Sequence, residues 1–296
     1  MNKLSVITKF YSKLHNYKGL PFWVLTPLRR MTRAVANNVL PSYLANSPRP
    51  TGQEEADIIV SFTSFPARID KVWLVVECML RQSLLPKKII LWLSKEQFPT
   101  SDSIPGSLKK YEDNRFEVRF VDGDIRSHKK YYYISQSNPN DLVFLIDDDI
   151  FYPIDILERS YQAYNNNPDK VICNYGYQIT HDEKGMHNSY LEWHHVEEGA
   201  YGKMLFFGSG GGTLFRPSML DRHLTDIDMA LRLTPTADDI WLNAMTKLAN
   251  VEVVKLPTGL LLPIHSKSVK LSSTNNGNEQ NDVQIRLVED CFGTIF

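Results

Sequence analysis

The sequence predicts an α/β fold: a mostly parallel, Rossmann-like sheet with helices on both faces, preceded by a basic helical extension. Three observations carry that expectation. Short apolar runs, each about the length of a buried strand, recur along the chain. Segments with apolar residues at helical spacing separate them. Charged residues cluster just after the apolar runs, where open α/β sheets bind their ligands.

Taken in order, Ile58, Ile59, Val60 and Phe62 predict a first buried strand, with a loop at Thr63–Arg68. Val72 to Leu84 carries Val72, Val75, Val76, Met79 and Leu80 on one face, predicting a helix that Pro86 ends. KIILWL (88–93), FEVRFV (116–121) and LVFLI (142–146) predict three further strands, and Val171–Asn174 a short one. Helices are expected over Ser127–Ser137, from Pro153 to about Tyr164, and over Asp239–Leu248. Beyond the strand ends lie Arg68, Asp122, Asp124 and Asp147–Asp149. The polar tract SSTNNGNEQN (272–281) predicts a flexible tail over 266–296.

At 296 residues the chain suits one large domain with an appendage. With 43% hydrophobic and 23% charged residues, wholesale disorder is excluded. Cys78, Cys173 and Cys291 are far apart and form no CxxC pair, which predicts buried thiols and a reduced, cytoplasmic setting. The net charge of −1 hides an asymmetry. The first 50 residues hold eight Lys and Arg and no Asp or Glu, so the arm carries +8 and the remainder −9. A basic arm on an acidic body points to an anionic partner surface.

Within the arm, Leu4, Ile7, Tyr11 and Leu14 share one helical face, and Phe22 and Trp23 lie near Arg29 and Arg30. Both features fit a helix lying in a membrane interface. The other reading is an extension that packs on the body or pairs with a second copy. No run approaches the roughly 20 apolar residues of a spanning helix, and no signal-peptide core precedes a cleavage site. Nucleic acid is not expected as a partner, because the body is acidic and carries no motif for it. The expectation is a cytoplasmic protein, peripheral at the inner face of the membrane. Pro48, Pro50, Thr51 and Gly52 mark a linker, dividing the chain into 1–52 and 53–296.

Asp147, Asp148 and Asp149 follow LVFLI directly. Three adjacent carboxylates repel one another, so burying them together is costly. Mg²⁺ or Mn²⁺ would remove that cost, since both favour carboxylate oxygens and share them with substrate phosphates. A solvated acidic turn or a helix N-cap is the other reading.

VFLIDDDIFYP resembles the DxD segment of GT-A glycosyltransferases. SFTSFPARI (61–69), KKIILWLS (87–94), KKYYYI (129–134), GSGGGTLFRP (208–217) and ADDIWL (237–242) extend the resemblance in order over about 57 to 265. It is closest in kind to family-2-like bacterial enzymes of capsule and surface-polysaccharide synthesis. The resemblance implies a GT-A fold, a nucleotide-sugar donor with UDP the commonest, and a glycan or lipid-linked glycan acceptor. It divides the body into a nucleotide-sugar half (57–175) and an acceptor half (176–265).

By that resemblance, Thr63 and Arg68 lie in the first nucleotide-binding loop, Arg68 holding base or phosphate by its fixed fork of donors. Lys130, or its neighbour Lys129, lies near the nucleotide or diphosphate. Asp147 and Asp148 touch the nucleotide, and Asp147 and Asp149 hold the metal, with His265 as a third ligand. Gly210, Gly211 and Gly212 line the donor-sugar and acceptor cleft. Lys270, with Lys267, reaches the diphosphate from the tail. Trp193, His194 and His195 fall on the acceptor side. Asp239 removes the acceptor proton, Asp238 being the alternative base, with direct displacement and inversion. Each residue has a plainer reading: a salt bridge from Arg68 to Asp70, an ordinary helix cation at Lys130, a turn between strands at the glycines, helix capping by the aspartate pair, and a packed histidine. The competing functions are a sugar nucleotidyltransferase and a non-catalytic nucleotide- or glycan-binding protein.

Overall fold

Strand β1 (Glu54–Thr63) alternates sharply: Ile58, Val60 and Phe62 join one apolar core, Ile59 the other. A strand buried on both faces must be covered on both, and this one is. A computed structural model of the chain describes residues 2–14, 19–196, 199–265 and 280–296. In it β1 pairs in parallel with β2 (Leu84–Ser94) and β4 (Leu142–Ile146), and β2 with β3 (Phe116–Val121). The sheet has eight strands in the order β3-β2-β1-β4-β11-β6-β12-β9. Its second half comprises β6 (Val171–Cys173), β9 (Ala200–Gly202), β11 (Gly211–Phe215) and β12 (Val253–Lys255). β11 runs antiparallel to β4 and β6, and β9 to β12; the other pairings are parallel. The expected α/β class, mostly parallel with helices on both faces, is what the chain adopts.

One face is covered by α3 (Val72–Met79) and α6 (Ile156–Asn166), with α4 (Gly106–Lys109) at its edge. The other is covered by α5 (Lys129–Ser137), α7 (Ile227–Leu233), α8 (Asp238–Leu248) and α9 (Gln280–Phe292). Two small sheets complete the body. β5 (Ile150–Phe151) pairs with β13 (Leu262–Pro263), while β7 (Gly176–Gln178) lies between β8 (His194–His195) and β10 (Leu205–Phe207).

Four expectations need correction. The helix at Val72 stops at Met79, not near Pro86. Gln82 bonds Pro153 O and Leu157 N, and Ser83 N bonds Ile154 O, which turns the chain into β2. Pro86 lies inside β2, ahead of its pairing with β3 and where the β1 register shifts, so its missing N–H interrupts little of the ladder. The end of the tail is folded: α9 places Ile285 and Val288 in the second core, and Phe296 is 4% exposed, while 266–279 lie outside the described residues. Cys291, on the outer side of α9, is exposed; Cys78 and Cys173 are buried as expected.

The fourth correction concerns the arm. It forms α1 (Lys3–Lys13) and α2 (Phe22–Asn46). The face of Leu4, Tyr11 and Leu14 packs on the body, and Leu4, Tyr11, Leu40 and Leu44 belong to the first core. Burial of such side chains stabilises by about 2 kcal/mol each, so the arm is part of the folded domain. Arg81 fixes its end by donating to Leu44 O, Ser47 O and Pro48 O, and is itself paired with Glu77 at 2.7 Å. No helix of the described residues is long and apolar enough to cross a membrane.

Candidate active site

The loops beyond β1–β4 open onto one cleft of about 620 Å³. Thr63, Ser64 and Arg68 come from the end of β1, Gln97 from beyond β2, Asp124 from beyond β3, and Asp147–Asp149 from the end of β4. Facing them are Ala237–Ile240 at the start of α8 and the rings of Tyr175, Tyr177 and Tyr190. Asp122, the other carboxylate after β3, instead pairs with Lys95 at the surface.

Arg68 organises the acidic turn. Its guanidinium lies 2.7 Å from Asp148 and 3.1 Å from Asp149, not on Asp70. Burial works against its charge, but Asp148 and Asp149 outweigh this and raise its pKa. Asp148, expected on the nucleotide, is 6% exposed and engaged within the protein by Ser64 (2.5 Å) and Arg68. It braces the turn, and burial raises its pKa, an effect Arg68 only partly offsets. Asp147 is the open member of the triplet, its side chain 43% exposed. Thr63 lines the cleft while its hydroxyl donates to Trp92 O.

Lys130 is no ordinary helix cation. Its side chain is buried, with Nζ 3.0 Å from Asp147 and 2.9 Å from Asp238. Burial opposes its charge, but Asp147, Asp238 and Asp239 outweigh it, and the pKa is raised. Lys129 pairs with Asp124 instead. Asp238 and Asp239 occupy the first turn of α8, near its positive end. Neither caps the helix; the N-cap is Ala237. Burial would raise the Asp238 pKa, but Lys130 and His128 hold it below the usual carboxylate value. Asp239 moves the other way. Burial and then the neighbouring Asp238 charge push it up to about 7, while Ser209 donates to it from its backbone N–H (2.8 Å) and its hydroxyl. Adjacent carboxylates driven in opposite directions are what an acid–base site requires.

The glycines correct another expectation. Gly210, Gly211 and Gly212 are buried and do not line the cleft. They make room for its walls. A Cβ on Gly210 would stand 1.8 Å from Asp147 Cγ, and one on Gly211 2.4 Å from Tyr175 Cβ. Gly212 takes φ +94, which favours glycine.

The chain leaving β13 brings His265 alongside the acidic turn, where Ile264 N donates to Asp149 O. The His265 backbone is clamped by Asn37 and Lys71. Among the described residues no three His, Cys, Asp or Glu side chains are grouped to hold a metal, so Asp147, Asp149 and His265 do not form a ready-made set. Lys267 and Lys270 lie outside the described residues. Trp193 is 4% exposed in the second core, His194 is exposed, and His195 packs against the rings of Tyr175 and Tyr177.

Several site residues escaped sequence reasoning. Ser209, buried behind Asp239 rather than lining the cleft, sits among the glycines of 208–212, which mask it in sequence. Tyr175 and Tyr177 alternate along one strand edge, a period-two signal that pointed to a shared face. Their hydroxyls are 2.7 Å apart, and Tyr190 adjoins Tyr177. Asn281 reaches the cleft from α9, which polar composition concealed.

The model of the glycosyl transferase family 64 domain matches residues 58–282. The chain belongs to this family. The expected glycosyltransferase class therefore holds, and the family is 64 where the resemblance pointed to a family-2-like enzyme. No curated protein is detectably similar in sequence. Among solved structures, a 4-diphosphocytidyl-2C-methyl-D-erythritol synthase from Anaerococcus prevotii DSM 20548 is similar at 12% identity and TM-score 0.40, covering 81% of this chain and 96% of that one. A UDP-glucose pyrophosphorylase complexed with UDP-glucose is similar at 10% identity and TM-score 0.39, covering 81% and 99%. Likeness this distant carries no functional weight. What family 64 membership supplies is the enzyme class, a glycosyltransferase.

Proposed function

We propose that this family 64 domain transfers a sugar from a nucleotide-sugar donor, a UDP-sugar by preference, to a glycan or lipid-linked glycan in bacterial surface-polysaccharide synthesis. The observation that carries the reading is one cleft with Asp147 and Asp149 on one wall, Asp239 on the other, and Lys130 buried between Asp147 and Asp238. Such a cleft offers charge control for a departing diphosphate and a base for an incoming hydroxyl.

Six carboxylates line it against four cations, Arg68, Arg126, Lys129 and Lys130, which favours a bound cation. Hard oxygens on Asp147 and Asp149 suit Mn²⁺ or Mg²⁺ taking its other ligands from phosphates and water rather than from an all-protein cage. Bound there, such an ion would offset charge on the leaving nucleotide. The chain's own residues do the rest. Arg68 and Asp148 hold the acidic turn in place. Lys130 keeps Asp238 ionised and fixes Asp147. Asp239, with its pKa near neutrality, accepts the proton of the acceptor hydroxyl, while Tyr175, Tyr177 and Tyr190 offer ring faces and hydroxyls to the acceptor sugar.

The test is a thermal-shift screen of the full chain against UDP, GDP, CMP and dTDP with Mn²⁺ or EDTA, followed by transfer from the matching nucleotide-sugar. A Mn²⁺-dependent shift and a new glycoside support the reading. Pyrophosphate formation from a nucleoside triphosphate and a sugar phosphate would make the chain a nucleotidyltransferase instead. Glycan binding without any nucleotide binding would make it a non-catalytic binder. Proton NMR of the product reads the stereochemistry: inversion accords with Asp239 behind an in-line acceptor, whereas retention places the attack on the leaving-group face.

A further inference from the structure

The inner face of the arm is spent on the body, yet its outer face is also apolar. Along α2, Trp23, Met31 and Val35 stand away from Leu25, Ala36, Leu40 and Leu44, which face inward, and Val39 flanks them. With Pro27 between the first two, these positions recur every fourth residue and form one stripe on the helix. At its N-terminal end Trp23 is 76% exposed and Phe22 73%. Single exposed apolar residues are unremarked on soluble proteins, but a continuous stripe marks an interaction surface. Arg30 is exposed about two turns from Trp23, Arg29 and Arg33 are half-buried on the same helix, and the first 50 residues hold no Asp or Glu.

We infer that this outer face of α2 seats the protein on an anionic bilayer, with Phe22 and Trp23 in the interface and Arg30 on lipid headgroups. Charge decides between occupants. A second copy docked arm to arm would bring together two sets of arginines with no acid in either arm to meet them. Anionic headgroups supply the missing charge, and aromatic residues beside cations suit the boundary between acyl chains and water. The surface differs from the Leu4–Leu14 face that helical spacing alone suggested, because that face is buried. It also has an orientation. Asn37, on α2, bonds Pro263 O at 3.0 Å and His265 N at 2.7 Å, and Pro263 lines the cleft. A bilayer against α2 therefore lies beside the active-site cleft.

Flotation of the full chain with vesicles of phosphatidylcholine, alone or mixed with phosphatidylglycerol, tests this. Binding is expected to the mixed vesicles and to weaken with added salt. The W23S/M31S double variant should bind at least about tenfold more weakly, having lost two inserted side chains. R30E should lose about fivefold or more. Both alter exposed side chains, so melting temperatures should match the wild type. Absence of wild-type binding to mixed vesicles, or unchanged binding by W23S/M31S, would overturn the inference. So would a wild-type dimer that W23S/M31S converts to monomer in light scattering, which would assign the stripe to a second copy. The nucleotide thermal shift in solution is independent of this surface, so failure here leaves the sugar-transfer reading standing.

Discussion

The ammonium of Lys130 lies 2.9 Å from the carboxylate of Asp238, with only 5% of the lysine side chain and 8% of the aspartate side chain exposed. The same nitrogen reaches Asp147 at 3.0 Å. One lysine on α5 thus joins the acidic turn after β4 to the first turn of α8. The acceptor-side pair is poised through it: Lys130 holds Asp238 ionised, and the Asp238 charge in turn helps raise Asp239.

Removing that cation leaves Asp238 buried without its main partner. K130M is expected to lose about 3 kcal/mol of stability, the cost of breaking a buried pair from one side. K130M/D238N should recover most of the loss, because no uncompensated charge remains, yet stay inactive. Urea denaturation of the two variants measures the coupling. Additive losses would mean that the two residues act separately.

G210A adds a methyl 1.8 Å from Asp147 Cγ. The obstacle is the end of a side chain, so the carboxylate swings aside, off Lys130, and stability falls by about 1–2 kcal/mol. The displaced Asp147 no longer meets the donor, and nucleotide affinity should fall far more than stability does. Titration of nucleotide against G210A and wild type, beside their melting curves, separates the two effects.

How much of this was legible before the structure varied with what each residue depends on. β3 and β4 begin and end where expected, because a continuous apolar run between polar flanks carries its own boundaries. The end of α3 was missed because Leu84 and Leu85 prolong the apolar pattern while Gln82 and Ser83 bend the chain through contacts with residues 153–157. The arm's helical face was legible, but not what covers it. In the site, Arg68, Asp147–Asp149 and Asp238–Asp239 stood out as local motifs. Their pairing did not, since Lys130 meets Asp238 across more than a hundred residues. The glycines look ligand-facing in sequence because positive φ and close approach carry the same signal whether the approaching group is a ligand or Asp147.

Metal removal should act on binding before it acts on fold. In wild type, Mn²⁺ with the matching nucleotide should stabilise by about 2.7 kcal/mol when the ligand stands a hundredfold above its Kd. EDTA should abolish the shift without lowering the melting temperature of the free protein. D149A should behave as wild type does in EDTA, because Arg68 retains Asp148 at 2.7 Å and the turn stays braced. A full nucleotide shift in D149A would remove that residue from the metal site.

Y177F tests the acceptor wall. It removes a hydroxyl 2.7 Å from that of Tyr175 but leaves the ring. Acceptor KM should rise about tenfold, the worth of roughly one good hydrogen bond, with donor KM unchanged. A donor effect of equal size would shift the tyrosines to the other substrate.

Asp239 makes the rate and the stability depend on pH in opposite senses. As the base it must be ionised, so kcat/KM should climb with pH through about 7, the value to which burial and Asp238 raise it. For stability the sign reverses. The folded pKa lies above that of the unfolded chain, about 3.9. Between the two, the native carboxyl keeps a proton that the unfolded chain releases, so stability contributed below about pH 4 is progressively lost as pH rises toward 7. D239N carries no such titration, and its amide oxygen can still accept from Ser209. Its melting temperature should therefore match wild type at low pH and exceed it at pH 8, while its turnover falls by at least about a hundredfold, as expected on losing a general base. Melting curves of both proteins across pH 4 to 8, set beside the rate profile, decide the matter. A stability difference that is flat across that range would mean that Asp239 ionises normally and that the acid limb of the rate belongs to another group.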